Sequence, residues 1–212
     1  MHRYHYRAQS RPDADPEAFF RAGLPALEAR MERQGARQLS LFRYGAMLFL
    51  YYESGPDPVE PQALFPDAAE VLEYWPGEDS PRCWAPMTDI FHYQQPVDES
   101  HWRRTNPAAR PYARLARLDP ELISSYIFYH YQYQEERPGD GDKYGVIALH
   151  ENLMFFYSES PATVEPAPYA GKLSTANTPS DWMGTLNSHF LLWEGQTGSA
   201  RFWLEIPLLI RA

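Results

Sequence analysis

Two stretches of this chain repeat one another. LFLYYESGPDPVEP at 48–61 is matched by MFFYSESPATVEP at 154–166, so that Glu53-Ser54 recurs as Glu159-Ser160 and Val59-Glu60-Pro61 as Val164-Glu165-Pro166. Upstream, Asp15-Pro16-Glu17 recurs as Asp119-Pro120-Glu121 at nearly the same offset, each time after an alternating stretch, RYHYRAQ at 3–9 and YARLARL at 112–118. Self-similarity at one offset is the mark of a unit used twice. The 212 residues therefore divide into two copies, 1–108 and 109–212.

Within a copy, periodicity gives the order of elements. Residues 3–9 alternate like a strand, Asp15 can cap a helix with Pro16 in its first turn, and 16–34 carries apolar residues at helical spacing until Gly35. Runs at 37–43 and 47–53 flank Tyr44-Gly45-Ala46 as a hairpin. A second helical region is expected from Pro66 to Tyr74, interrupted by WPGEDSPR and resuming at 84–91, before a strand near Trp102. The second copy repeats the pattern: strand 112–118, helix 120–136, hairpin 143–149 with 153–158, helix 179–193 and strand 201–210. Each copy thus has β-α-β-β-α-β order, the ferredoxin-like α+β unit. Its bare sheet face needs covering, and two units in one chain can cover each other. The expected architecture is an intramolecular pseudo-dimeric α/β barrel, a monomer with an internal pseudo-dimer, with further oligomerisation left open.

Composition narrows the function. Apolar residues make up 44% of the chain, enough for a core, and no stretch is apolar enough to span a membrane. A net charge of −9 opposes binding to nucleic acid. Cys83 is the sole cysteine, so no intrachain disulfide forms and a cysteine-rich zinc site is excluded. The N-terminus lacks the apolar run of a secretory signal, and a cytoplasmic protein is expected. No P-loop, dinucleotide glycine fingerprint, Gly-x-Ser-x-Gly or His-Glu-x-x-His occurs.

The densest group of chemically capable side chains is SSYIFYHYQYQEE at 124–136. Tyr126, His130 and Gln134 are four apart and share one helical face. An imidazole can take or give a proton near neutral pH, and a phenol beside it is a hydrogen-bond donor. The plainer reading is an amphipathic helix whose aromatics fill the core.

The segment 118–130, LDPELISSYIFYH, resembles the signature of the L-rhamnose mutarotase family, in which a strand leads into a helix bearing Tyr-x-x-x-His. In the first copy, Pro25-Ala26-Leu27 followed by GARQLSLF at 35–42, and CWAPMTD at 83–89, are similar to that family's Pro-Glu-Leu, Gly-x-x-x-Tyr-x-Ile and Trp-Trp-x-x-Met-x-Asp segments. The resemblance implies a dimeric α/β barrel and a cofactor-free, metal-free isomerase that interconverts sugar anomers. It gives His130 the acid/base role and Tyr126 that of donor, with Trp182 and Trp84 as apolar floors for a monosaccharide and Asp89 in the Trp-Trp-x-x-Met-x-Asp segment; Gln134, from its helix face, and His5, from its strand, are further candidate binding residues. The first copy departs from it, because Phe20 stands at the histidine position, so one site per chain is expected. Gln134 and Glu135 replace the family's Trp and Pro, and Trp182-Met183-Gly184 does not continue the tryptophan motif. Two rival functions follow from these departures: a non-catalytic carbohydrate or small-ligand barrel, and a cofactor-free oxygenase or cyclase acting on an aromatic substrate.

Other candidates have simpler explanations. Asp89 and His92 share a face if 84–91 is helical, and a histidine at a helix end is favourable without function. His150 sits at the second hairpin turn beside Glu151, and His5 lies on the first alternating strand, where it could look into the barrel. Residues 138–142, PGDGD, lack calcium-loop spacing and suggest a flexible turn.

Overall fold

The computed structural model describes residues 1–77 and 79–212, so Glu78 in the WPGEDSPR interruption lies outside the described residues. The chain forms two compact units, Met1–Met87 with Ile206–Ala212, and Thr88–Glu205. Both are α+β, with antiparallel sheets.

In the first unit, β1 (His2–Gln9) runs antiparallel to β3 (Met47–Ser54), in register from His2 opposite Ser54 to Gln9 opposite Met47. Asp15 caps α1 (Pro16–Ala22) by accepting a bond from the Ala18 amide at 3.1 Å. The single helix expected over 16–34 is two, α1 and α2 (Leu24–Gln34). Pro25 is the reason: it has no N–H to donate to Arg21, and its ring crowds that carbonyl, so the helix restarts at Gly23. Gly35 ends α2 at φ 72°, a conformation glycine adopts at little cost. The hairpin of β2 (Ala36–Tyr44) and β3 turns at Gly45 as expected.

The second helical region is where expectation and structure part. Between Pro61 and Trp84 the described chain holds only α3 (Pro61–Leu64) and a 3-10 turn at Ala68–Glu70. Leu72 then bridges Ser10, and the Glu73 amide donates to the Gln9 carbonyl at 2.8 Å, which extends the chain where a helix would have continued. Residues 84–91 are likewise not helical. They form β4 (Ala85–Pro86), paired with β1, and β5 (Thr88–His92), paired with β7 (Val146–His150). In place of a helix, these residues satisfy their backbone on the ladders that β1 and β7 leave open. Phe20, Leu27 and Met31 from the helices pack with Leu39, Leu41, Leu48 and Leu50 in the core of this unit.

The second unit contains β5, β6 (Arg110–Leu118), α4 (Ile123–Glu136), β7 (Val146–His150), β8 (Leu153–Ser160), α5 (Trp182–Leu186) and β9 (Phe190–Leu191). β10 (Leu204–Ile206) closes its sheet beside β6, and β11 (Leu208–Arg211) joins the first sheet beside β2. A 3-10 turn at Pro120–Leu122, capped by Asp119, leads into α4. The helix expected over 179–193 is confined to α5 and a 3-10 turn at Asn187–His189, because Phe190 and Leu191 pair with Leu118 and Arg117 at the end of β6. No strand forms near Trp102: its amide closes a turn on the Asp98 carbonyl at 3.1 Å, and its ring is buried edge-on to Tyr144.

The two sheets have one plan. Orders β4-β1-β3-β2-β11 and β10-β6-β8-β7-β5 both begin with the ferredoxin-like arrangement, fourth strand beside the first and third strand between first and second. Each ends in a strand supplied by the other half of the sequence. The compact units therefore follow strand pairing, and the division at 108 is one of sequence similarity. Since β5 pairs with β7 and β11 with β2, fragments 1–108 and 109–212 expressed together with a tag on one are expected to co-purify. Recovery of the tagged fragment alone, folded, would contradict those pairings.

Candidate functional site

Helix α4 has a poor apolar stripe but buries one face, and Tyr126 and His130 sit on it one turn apart. Their rings stack at 4.0 Å with planes 27° apart. His130 Nδ1 lies 3.0 Å from the Tyr126 carbonyl oxygen. A carbonyl only accepts, so Nδ1 carries the proton and the neutral ring keeps its lone pair on Nε2. Burial pushes the imidazole pKa down to about 4, against the opposing pull of that carbonyl and with a smaller contribution from His189. His130 is thus an uncharged base with one nitrogen committed and the other free of any partner among the described residues.

These two side chains line a cavity of about 330 Å³ inside the second unit. Its other walls are largely apolar: Phe91, Ile147, Phe156, Leu186, Phe190, Trp182 and Trp203. Apolar walls with a few placed polar groups are the usual make-up of a small-molecule site. Trp182 meets His130 edge-on at 4.9 Å and Tyr133 at 5.1 Å. It is held there by Asp181, which caps α5 through the Gly184 amide at 2.9 Å. The Tyr126 hydroxyl makes no hydrogen bond to a described residue, and full burial holds its pKa well above the usual phenol range. It therefore enters the cavity as a donor. Tyr133, by contrast, spends its hydroxyl on Asp140 at 2.9 Å.

The remaining expected site residues lie elsewhere. Gln134 accepts from the His92 amide at 3.0 Å and donates to Glu135, latching α4 to β5 without lining the cavity. Asp89 contacts His92 Nδ1 at 3.2 Å. That contact survives the loss of the expected helix because a register shift between Asp89 and Phe91 bulges the strand. Trp84 and His5 belong to the first unit. Trp84 is buried against Phe65 and Phe20, and His5 is buried beside Tyr51. Neither lines the cavity that holds His130.

Two polar lining residues have no counterpart among those expected. Arg114 extends from β6, and Tyr93 follows β5. The turn at 138–145 is shaped to hold Tyr93: a Cβ on Gly141 would come within 2.3 Å of its ring and one on Gly145 within 2.8 Å. Gly139 also donates its amide to the Tyr93 carbonyl at 2.9 Å. The turn is a fitted cradle and not the open loop its composition suggests. Arg114 had little signal in the sequence: it lies in the alternating stretch 112–118, but its place opposite Phe156 corresponds in the repeat to Tyr6 opposite Leu50, and not to an arginine. Tyr93 had none.

The C-terminal end of α4 is fastened to the segment leading toward Trp182. Glu136 accepts hydrogen bonds from the Thr175 and Thr178 hydroxyls and from the Asn177 and Thr178 amides. Glu135 accepts from the Lys172 amide at 2.8 Å. Gly171 passes so close that a Cβ there would lie 1.9 Å from the Glu135 carbonyl oxygen.

No protein-family model matches the chain, and no curated protein matches it. Among solved structures, that of a "putative monooxygenase" from Fusobacterium nucleatum is similar at 10% identity and a TM-score of 0.46, covering 99% of this chain and 92% of that one. Among the described residues, no three His, Cys, Asp or Glu side chains converge as metal ligands, and no helix is long and apolar enough to cross a membrane.

The buried ring of His130 gives a direct check. In a histidine-labelled sample followed by NMR, its ring protons are expected to titrate near pH 4, well below the ordinary value of 6.5. The sign for stability follows: the folded state resists protonation, so the contribution is whole above pH 6.5 and is lost as pH falls toward 4. Titration near 6.5 would mean that the ring is solvated.

Proposed function

We propose that the cavity of the second unit is the active site of a cofactor-independent acid/base isomerase, an aldose mutarotase acting on a rhamnose-like ring. The observation that carries this reading is the pairing, on one helix face, of a neutral imidazole whose Nε2 is free with a phenol whose hydroxyl is free, both opening on one cavity. Mutarotation asks for little more. Nε2 of His130 takes the proton of the anomeric hydroxyl while the Tyr126 hydroxyl donates to the ring oxygen, and the C1–O5 bond opens to the free aldehyde. Rotation about C1–C2 presents the other face of the carbonyl. The ring oxygen then adds to it, and the two protons return to their starting groups. Trp182 and the phenylalanines supply apolar surface for the ring's C–H faces.

The same reading treats the chain as a tandem duplication of a dimeric α/β-barrel unit in which one acid/base pair was lost. The shared strand order and the recurring sequence segments support it. In the first unit Phe20 is buried edge-on to Phe65, where no proton transfer is available.

A second reading is favoured by the aromatic wall: a cofactor-free oxygenase or cyclase in which the same histidine removes a proton from an aromatic substrate. Two-dimensional exchange NMR on L-rhamnose and other aldoses separates the two. Accelerated anomer exchange is expected, slowed about 100- to 10,000-fold by His130→Ala, the range attributed to a positioned acid or base. Tyr126→Phe is expected to slow it less, because a solvent water can stand in for a donor. An unaccelerated exchange for every sugar would remove the mutarotase reading, and an unchanged rate in His130→Ala would remove His130 from the chemistry.

A further inference from the structure

A charged group in the cavity has no hydrogen-bond or ion-pair partner among the described residues. Arg114 lines it from β6 and makes neither a hydrogen bond nor an ion pair to any described residue. Its Nε is fully buried and unsatisfied. Its guanidinium lies over the Phe156 ring at 4.7 Å and within 5.8 Å of Tyr112 and Trp203. The rings hold the cation in place and stabilise it in part, but they offer no lone pair to its donors. Elsewhere in this unit Arg104 is matched by Glu159 at 2.9 Å and Lys143 by Glu165 at 2.5 Å, while Arg117, whose Nε is likewise unsatisfied, donates a terminal nitrogen to the Leu192 carbonyl. The carboxylates that act on the Tyr93 phenol, Asp140 and Asp142, have other partners. Asp140 takes the Tyr133 hydroxyl, and Asp142 accepts from the Ser158 hydroxyl and from the Glu159 and Thr163 amides.

A half-buried guanidinium whose Nε is shut off from water without a partner costs stability unless something completes it. Its planar fork fits a carboxylate in two parallel hydrogen bonds, better than it fits a neutral hydroxyl. We infer that the ligand of this cavity is a ring bearing a carboxylate, which Arg114 binds while the ring lies between the aromatic walls and its reacting end meets His130. The inference rests on the cavity being the functional site proposed above, and it moves the substrate class from a neutral sugar to a ring acid, such as a uronic acid. Tyr93, whose phenol lies in the field of Arg114, is a second donor for the same anion. The chain's net charge of −9 makes the local cation necessary, since the rest of the surface repels such a ligand.

The test uses the full chain and two probe pairs of matched shape. Benzoate is expected to bind at least about tenfold more tightly than benzamide, an energy step of about 1.4 kcal/mol, and to move the His130 ring resonances. Arg114→Met and Arg114→Gln, each checked for native circular dichroism, are expected to abolish that preference. Equal binding of the two probes to the wild type, no benzoate binding, or a preference that persists in the variants would overturn the inference. The wild-type comparison stands even if both variants misfold. The second pair, D-galacturonate and D-galactose, followed for anomer exchange, separates this inference from the mutarotase reading. A benzoate preference located at His130 with no exchange for either sugar keeps the carboxylate site and removes the mutarotase. Exchange equal for both sugars and unaltered in Arg114→Met keeps the mutarotase and removes the carboxylate site.

Discussion

The chemistry proposed for the second unit depends on a single desolvated ring. Burial among Tyr126, Phe91 and Trp182 makes a charge on His130 expensive, and the bond from Nδ1 to the Tyr126 carbonyl fixes which nitrogen keeps the proton. Either effect alone would be ordinary. Together they leave one basic lone pair, neutral at physiological pH, in a cavity with few other polar groups. A base of this kind is weak but always available, because no part of it is lost to protonation until the medium is strongly acidic.

Much of the surrounding structure serves to hold that ring and its walls. Glycines 141 and 145 let a turn close on Tyr93, and Gly171 lets a long segment lie on the end of α4, where Glu135 and Glu136 secure it. The segment then delivers Trp182 to the histidine. Gln134 ties the helix to β5, so α4 is fixed on both sides. Gly171→Ala would force a side chain against a backbone oxygen that cannot move without the helix, and its effect would be felt at Trp182 through the chain between them.

How much of this was legible in the sequence depended on what carried the signal. The repeat, the alternating stretches of β1 and β6 and the continuous apolar runs of β3 and β8 marked the central strands of both sheets, whereas β4 and β5 lie where a helix was expected. Helical spacing misled at 66–74, 84–91 and 179–193, where prolines and open sheet edges decided the backbone and short apolar runs fit either state. The resemblance-based residues fared unevenly for a physical reason. Tyr126, His130 and Trp182 are brought together by one helix and the segment fastened to it, whereas Trp84 and His5 are core residues of the first unit and Gln134 and Asp89 make structural bonds. Arg114 and Tyr93 could be recognised only once β6 and β5 were placed beside the same cavity, since neither lies within a motif.

The two units share a plan and differ in contents. The first puts phenylalanine, tryptophan and leucine around its helices, and the second keeps a base, a donor and an unpaired cation in the corresponding half of the sequence. The measurement that bears most directly on this difference is the protonation state of His130 at pH 7, read from long-range proton–nitrogen correlations of its ring in the full chain. A neutral ring with the proton on Nδ1 and a bare Nε2 that responds to added ligand is the expected result. A charged ring, or a neutral one with the proton on Nε2, would contradict the assignment of His130 as the base.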